Sequence, residues 1–173
     1  QGELWYQQKN SYDCGPCVLL NSAQVLGVEL PHKSVSELRS SVNDRRRQDG
    51  NSVRGATDWL SNSDLNDYIR DHMDLDVNSG VLVSKYTSVE QMKSFLNRDD
   101  VKMIYFISGR HFRSIVPVGN EYLLLDSFSS GPVIVSEQQV GEIFQRAINE
   151  SDEIIRKNPN DVNVNLFGLV KEK

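Results

Sequence analysis

At 173 residues, with 38% hydrophobic and 25% charged residues, the chain has the size and balance of a single globular domain spanning 1–173, able to bury a core without staples. Its net charge of −5 gives no electrostatic reason to expect a nucleic-acid partner, and no apolar run approaches the ~20 residues that span a bilayer. With no basic-then-apolar pattern at the N-terminus, a cytoplasmic, monomeric protein is the expectation.

Taken in order, Trp5 and Tyr6 read as a short strand or anchor that lays Gln8 against the core. A helix is expected to start close to Cys14, because Val18, Leu19, Ala23, Val25 and Leu26 share one face and Gly27 is a natural terminator. Asp13 suits its N-cap, and Pro16 is tolerated in the first turn. Val28 to Pro31 reads as a turn. Ser34, with Glu37 three residues on, opens a second helix through Leu38 and Val42 that Asp49-Gly50-Asn51-Ser52 breaks. The basic run Arg45-Arg46-Arg47, next to Asp44 and Asp49, reads as a solvated helix face. Val53 to Leu60, with Trp59, reads as another short helical segment, and Ser63 or Asp64 as the cap of a helix over Leu65, Tyr68, Ile69 and Met73.

Val81-Leu82-Val83 is a strand candidate, and Ser88 followed by Glu90-Gln91 opens a helix with Val89, Met92, Phe95 and Leu96 on one side. Four strands follow, over Val101–Ile107, Phe112–Val118, Glu121–Leu125 and Pro132–Val135, with turns that suggest an antiparallel meander. Ser136, with Gln139 three residues on, starts a helix that can reach Lys157 before Asn158-Pro159-Asn160-Asp161 stops it. Val162 to Val170 alternates as a last strand. The fold class expected is α+β, a helical first half with its Cys14 helix packed on an antiparallel sheet from the second half.

Cys14 is the focus of the chemistry. A thiol in the first turn faces the positive end of the helix dipole, which favours the thiolate, the nucleophilic form. Attack on a carbonyl also needs oxyanion donors, and Gln8 can bring its side-chain amide beside the Cys14 backbone N–H. His111 opens a strand after the turn Ser108-Gly109-Arg110, and Asp126 closes the next one. In a hairpin turning at Gly119-Asn120 these two residues are expected side by side at the open end. A histidine held by a carboxylate is the arrangement a general base requires. The catalytic candidates are therefore Cys14, His111, Asp126 and Gln8. Both cysteines lie in one motif, and His32, His72 and His111 show no ligand spacing, so neither a metal nor a cofactor is expected.

The segment Gln8-Lys9-Asn10-Ser11-Tyr12-Asp13-Cys14-Gly15, with His111 and Asp126, resembles the papain-like cysteine peptidases. The order Gln, Cys, His, Asp is similar to that of the bacteriocin leader-processing peptidases. The same residues, together with His111-Phe112 and Leu125-Asp126-Ser127, resemble in circularly permuted order the SUMO-specific (Ulp-type) proteases. The resemblance covers the surroundings of Cys14 and His111; residues 30–100 match no family. It implies a papain-like fold and cleavage after Gly-Gly, in a protein or peptide substrate such as a ubiquitin-like protein tail or a double-glycine leader.

The main rival reading is thiol-disulfide exchange through Cys14-Gly15-Pro16-Cys17, the tetrapeptide of thioredoxins, in which a second thiol resolves a mixed disulfide. Against it, the motif follows the polar stretch Tyr6 to Asp13 where that fold needs a buried strand. In the peptidase reading Cys17 is a small residue facing inward. A second rival is a catalytically silent module that binds peptides or ubiquitin-like proteins, and a third is acyl transfer to an amine instead of water. Trp5 and Trp59 are expected in the core or lining a groove, where either can cover the catalytic histidine.

Overall fold

A computed structural model of the chain describes residues 5–82, 88–157 and 166–173, the side chains of 79–82, 154, 155 and 166 aside. In chain order the elements are α1 (Cys14–Leu26), α2 (Val35–Gln48), α3 (Asn62–His72), β1 (Asp76–Leu82), α4 (Val89–Leu96), β2 (Val101–Ser108), β3 (His111–Val118), β4 (Glu121–Leu125), β5 (Val133–Val135), α5 (Glu137–Lys157) and β6 (Leu166–Lys171). The architecture is α+β, built on one six-stranded sheet in the order β1-β6-β2-β3-β4-β5 with every neighbouring pair antiparallel. None of the described helices is long and apolar enough to cross a membrane.

Alternation along the strands separates two cores. Tyr105, Phe112, Val116 and Leu125 face α1, α2 and α3, whereas Ile104, Phe106, Ile115 and Phe167 face α4 and α5. A register shift between Val101 and Met103 puts these two residues on opposite faces although they are two apart. The expected meander is β2-β3-β4-β5. Two features depart from a helical half followed by a sheet half. The first half contributes β1 as an edge strand, and β6, the last strand in sequence, inserts between β1 and β2. The expected Val83 and residues 158–165 lie outside the described residues.

Helix starts follow local chemistry. Ser34 accepts from the Glu37 N–H, and Ser88 forms a reciprocal capping box with Gln91. The third helix is capped two residues before Ser63, by Ser61, whose N–H donates to the Asp64 carboxylate at 2.9 Å. Residues 51–60 are irregular, not helical. Side chains of α2 take the backbone groups a helix would have used: Asn43 bonds both the N–H and the C=O of Arg54, Arg46 bonds Ser52 O, and Arg39 bonds Gly55 O and Asp58 O.

The arginine run is a solvated face only at Arg47, which pairs with the exposed Asp44; Arg45 and Arg46 turn into the fold. Asp64, buried at 3% side-chain exposure, holds Arg46 at 2.8 Å and Arg54 at 3.0 Å, and Arg45 reaches Asp49, Asp67 and Asp71. These pairs join α2, the irregular segment and α3 into one unit beneath the start of α1.

Candidate active site

α1 begins at Cys14, and the thiol is buried. Asp13 occupies the N-cap position, yet its carboxylate does not cap the first turn. It accepts instead from Asn10 Nδ2 at 2.7 Å and from Arg39 Nε at 2.9 Å. Asn10 Oδ1 in turn accepts from the N–H groups of Tyr12 and Asp13, and Arg39 donates to Tyr12 O. The loop before the cysteine is thus fixed by Asn10 and by an arginine from α2. Gly15 is required by close approach: a Cβ there would meet Leu65 Cδ1 at 3.2 Å and Leu60 Cβ at 3.3 Å, tighter than ordinary contact.

β3 and β4 bring the second pair of groups to the same place. His111 Nε2 lies 2.7 Å from Asp126 Oδ1, and the Cys14 thiol lies near enough to the same ring to favour its charged form. With Nε2 on the carboxylate, Nδ1 is the nitrogen left for the sulfur. The pairing differs from the one expected. Register partners run from Val118↔Glu121 to Ser114↔Leu125 and stop there, and Asp126 and Phe128 stand in the turn after β4, closed by the Ser129 N–H donating to Asp126 O at 2.9 Å. The His111–Asp126 bond is therefore made beyond the ladder. Phe128 stacks on the imidazole from the same turn, centroids 4.6 Å apart at 24°.

The electrostatics of the pair follow from these contacts. Burial disfavours the imidazolium, but the bond from His111 to Asp126 and the nearby Cys14 thiol outweigh it and raise the ring to about 9. Burial also disfavours the Asp126 carboxylate, yet His111 and the Phe128 N–H, 3.0 Å from Oδ1, hold it below the ordinary carboxyl range. Cys17, buried at 2% exposure, is pushed up to about 12 by burial and by the negative charges of Asp13 and Cys14. It is a poor thiolate at neutral pH.

Gln8 is buried and tied to the residue after Asp126. Its N–H donates to Ser127 O at 2.7 Å, its Oε1 accepts from Ser127 Oγ at 2.6 Å, and its Nε2 donates to Asn10 O at 2.7 Å. One hydrogen of the amide is used by Asn10; the other is free of that bond. The anchor expected before Gln8 is an irregular segment over residues 5–7. Trp5 Nε1 donates to Ser129 O, Gln7 to Phe128 O, and Asn21 of α1 bonds both backbone groups of Tyr6.

His111 and Asp126 are therefore bonded to each other with the Cys14 thiol acting on the same ring, and Gln8 joins them through Ser127. Neither tryptophan covers the histidine: Trp5 is spent on the 126–129 turn, Trp59 is 46% exposed, and Phe128 takes that place. Phe128, Ser127 and Arg39 carried no periodic or spacing signal, although Asp126 followed by Ser127 is a sequence suited to a side-chain-capped turn.

His32 and His72, separate in sequence, meet with rings 4.9 Å apart, but Tyr68 OH and Ser41 Oγ engage one nitrogen of each. Among the described residues no group of three or more His, Cys, Asp or Glu side chains is arranged to hold a metal ion. A groove of about 610 Å³, lined by Val25, Leu26, Val118 and Tyr122 among others, lies at the C-terminal end of α1. At 1.5 Å per residue that is roughly 18 Å along the 13-residue helix from Cys14, so the groove is not part of the Cys14 site.

No family model matches the chain, and no curated protein is significantly similar to it.

Proposed function

We propose that this protein is a cysteine peptidase of papain-like design, with Cys14 as nucleophile, His111 as general base and acid, Asp126 as the group that orients His111, and Gln8 as oxyanion donor. The observation that carries the reading is that one imidazole, bonded to Asp126 at 2.7 Å, also interacts with the Cys14 thiol at the start of α1. Thiol-disulfide exchange is disfavoured by the same site, because the buried Cys17 is held so far from its thiolate form that it makes a slow resolving thiol.

In this mechanism the proton of the Cys14 thiol passes to Nδ1 of His111, giving a thiolate and an imidazolium whose charge Asp126 stabilises. The sulfur adds to the scissile carbonyl, and the Cys14 N–H and the remaining Gln8 amide hydrogen receive the negative charge on oxygen. Collapse of this adduct breaks the C–N bond while His111 returns its proton to the departing amine. His111 then takes a proton from water, which attacks the thioester and releases the acid. Burial of Cys14 and His111 keeps these electrostatic interactions strong.

The substrate class rests on the resemblance of Gln8–Gly15, His111 and Leu125–Ser127 to peptidases that cut after Gly-Gly. A ubiquitin-like protein tail or a double-glycine leader fits it.

The test is intact-mass spectrometry after brief treatment with a Gly-Gly vinyl electrophile and, separately, with iodoacetamide, on wild type, Cys14→Ala and His111→Ala. A stoichiometric Gly-Gly adduct on Cys14 that requires His111 is the expected result. Iodoacetamide labelling of Cys14 that is unaffected by His111→Ala, without a Gly-Gly adduct, would sink the peptidase reading.

A further inference from the structure

Helix α5 lies across the sheet from the nucleophile helix and contributes no catalytic group, yet it touches the segment that presents His111. Glu150, half-buried on α5, accepts two hydrogen bonds on a single carboxylate oxygen, from Ser108 Oγ at 2.8 Å and from the Gly109 N–H at 2.7 Å. Both donors belong to the turn between β2 and β3. Ser108 and His111 are the register pair that closes this turn, and Gly109 and Arg110 stand between them with φ of +61° and +60°.

Ser108↔His111 is the last pair before this two-residue turn. Arg110 holds a left-handed conformation that is unfavourable for a residue with a Cβ. Such backbone persists where its surroundings over-determine it. The β2–β3 ladder runs on through Ile104↔Ile115, so the hairpin itself does not depend on Glu150. What depends on Glu150 is the setting of its last residue. A further link runs through β3: Arg113, two residues after His111 on the same face, lies within electrostatic reach of both Asp126 and Glu150.

We propose that Glu150 is a positioning residue for His111: by gripping Ser108 and the Gly109 N–H it fixes the turn that sets the imidazole against Cys14 and Asp126. This inference rests on the peptidase reading, since it assigns a support to that site.

The test compares the rate of iodoacetamide alkylation of Cys14 across pH 5–9, and kcat and KM on a Gly-Gly substrate, in wild type, Glu150→Ala, Glu150→Gln, Ser108→Ala and His111→Ala. Glu153, which lines the same face of α5 but pairs with Arg156 and Lys157, supplies the control Glu153→Ala. Glu150→Ala is expected to move the alkylation profile toward that of His111→Ala and to lower kcat by about tenfold to a hundredfold, with KM nearly unchanged. Glu150→Gln keeps an acceptor oxygen and should recover most of the loss. Ser108→Ala, which keeps the Gly109 bond, should fall between, and Glu153→Ala should match wild type.

A Glu150→Ala profile that superimposes on wild type while His111→Ala differs would overturn the proposal and leave the peptidase reading standing. A lower melting temperature with an unchanged profile overturns it equally, since it marks a purely structural role. If Glu150→Ala does not fold, Glu150→Gln and Ser108→Ala decide: wild-type profiles in both overturn the proposal. Should His111→Ala itself leave alkylation unchanged, the reading fails first and the proposal with it.

Discussion

Gln8 and Ser127, 119 residues apart, exchange two hydrogen bonds: the Gln8 N–H donates to Ser127 O, and Ser127 Oγ donates to Gln8 Oε1. Because Ser127 follows Asp126, the same short turn bonds the imidazole and holds the amide proposed as oxyanion donor. Fixing Oε1 on Ser127 also fixes which way the Gln8 NH₂ points.

Ser127→Ala should therefore act on catalysis more than on folding. The variant leaves the Gln8 carbonyl oxygen buried without its hydroxyl, and the amide gains freedom to turn away. Loss of a positioned oxyanion donor costs roughly a hundredfold or more in kcat, so loosening it should cost about tenfold, with KM little changed. Steady-state kinetics on a Gly-Gly substrate would measure this. An unchanged kcat would mean that Gln8 is not held by Ser127 in the working enzyme.

Stability should depend on pH through His111 and Asp126 in opposite senses. A free imidazole titrates near 6.5; although burial opposes the charged ring, Asp126 and Cys14 raise it to about 9 in the fold. Its stabilising contribution is thus complete below 6.5 and is lost as pH rises through 9. The Asp126 carboxyl is lowered, so its contribution is present above the ordinary value near 3.8 and disappears as acid drives pH below that. Urea midpoints should fall between pH 6.5 and 9 in wild type and stay flatter in His111→Ala. Parallel curves for the two proteins would show that the ring is not held charged.

Cys17 should be dispensable. Its thiol is pushed up to about 12, and it is buried against the first turn of α1. Cys17→Ala is expected to keep hydrolase activity, and iodoacetamide at neutral pH should label one cysteine in wild type and in this variant alike. Loss of activity in Cys17→Ala, together with a Cys14–Cys17 disulfide in oxidised wild type, would favour exchange chemistry.

Gly168 should tolerate no side chain. A Cβ at this position in β6 would fall within the ring of Tyr105, which is fully buried and held by its hydroxyl on Asn66 Oδ1 and Asn62 O. Overpacking of this kind costs about 1–3 kcal/mol, and each 1 kcal/mol lowers Tm by ~2–4 °C at this size. Gly168→Ala should melt several degrees lower by calorimetry. A wild-type Tm would mean that Tyr105 can move aside.

The features legible in the sequence were those set by neighbours in the chain. Ser88 with Gln91 capped a helix, the turn at Gly119-Asn120 joined two strands, and Gly27 ended α1 in a left-handed conformation, because caps and turns involve groups only a few residues apart. Cys14 at the start of a helix followed from the same local logic. Where a segment's polar groups found partners far away, local reasoning failed. Residues 53–60 look helical but are held open by Asn43 and Arg39, and the arginine run looks solvated but Arg46 closes on a buried Asp64.

The site divides in the same way. Residue types and order singled out Gln8, Cys14, His111 and Asp126 as candidates, but whether His111 comes near Cys14 depended on how β3 packs on α1, which no spacing encodes. Register decided the rest: the β3–β4 ladder stops at Ser114↔Leu125, so Asp126 meets His111 from the turn beyond it and not as a strand partner. Side chains alternate with a period of two along each strand, so the sequence determined which residues share a face. Only the tertiary structure decided which of them stand opposite one another.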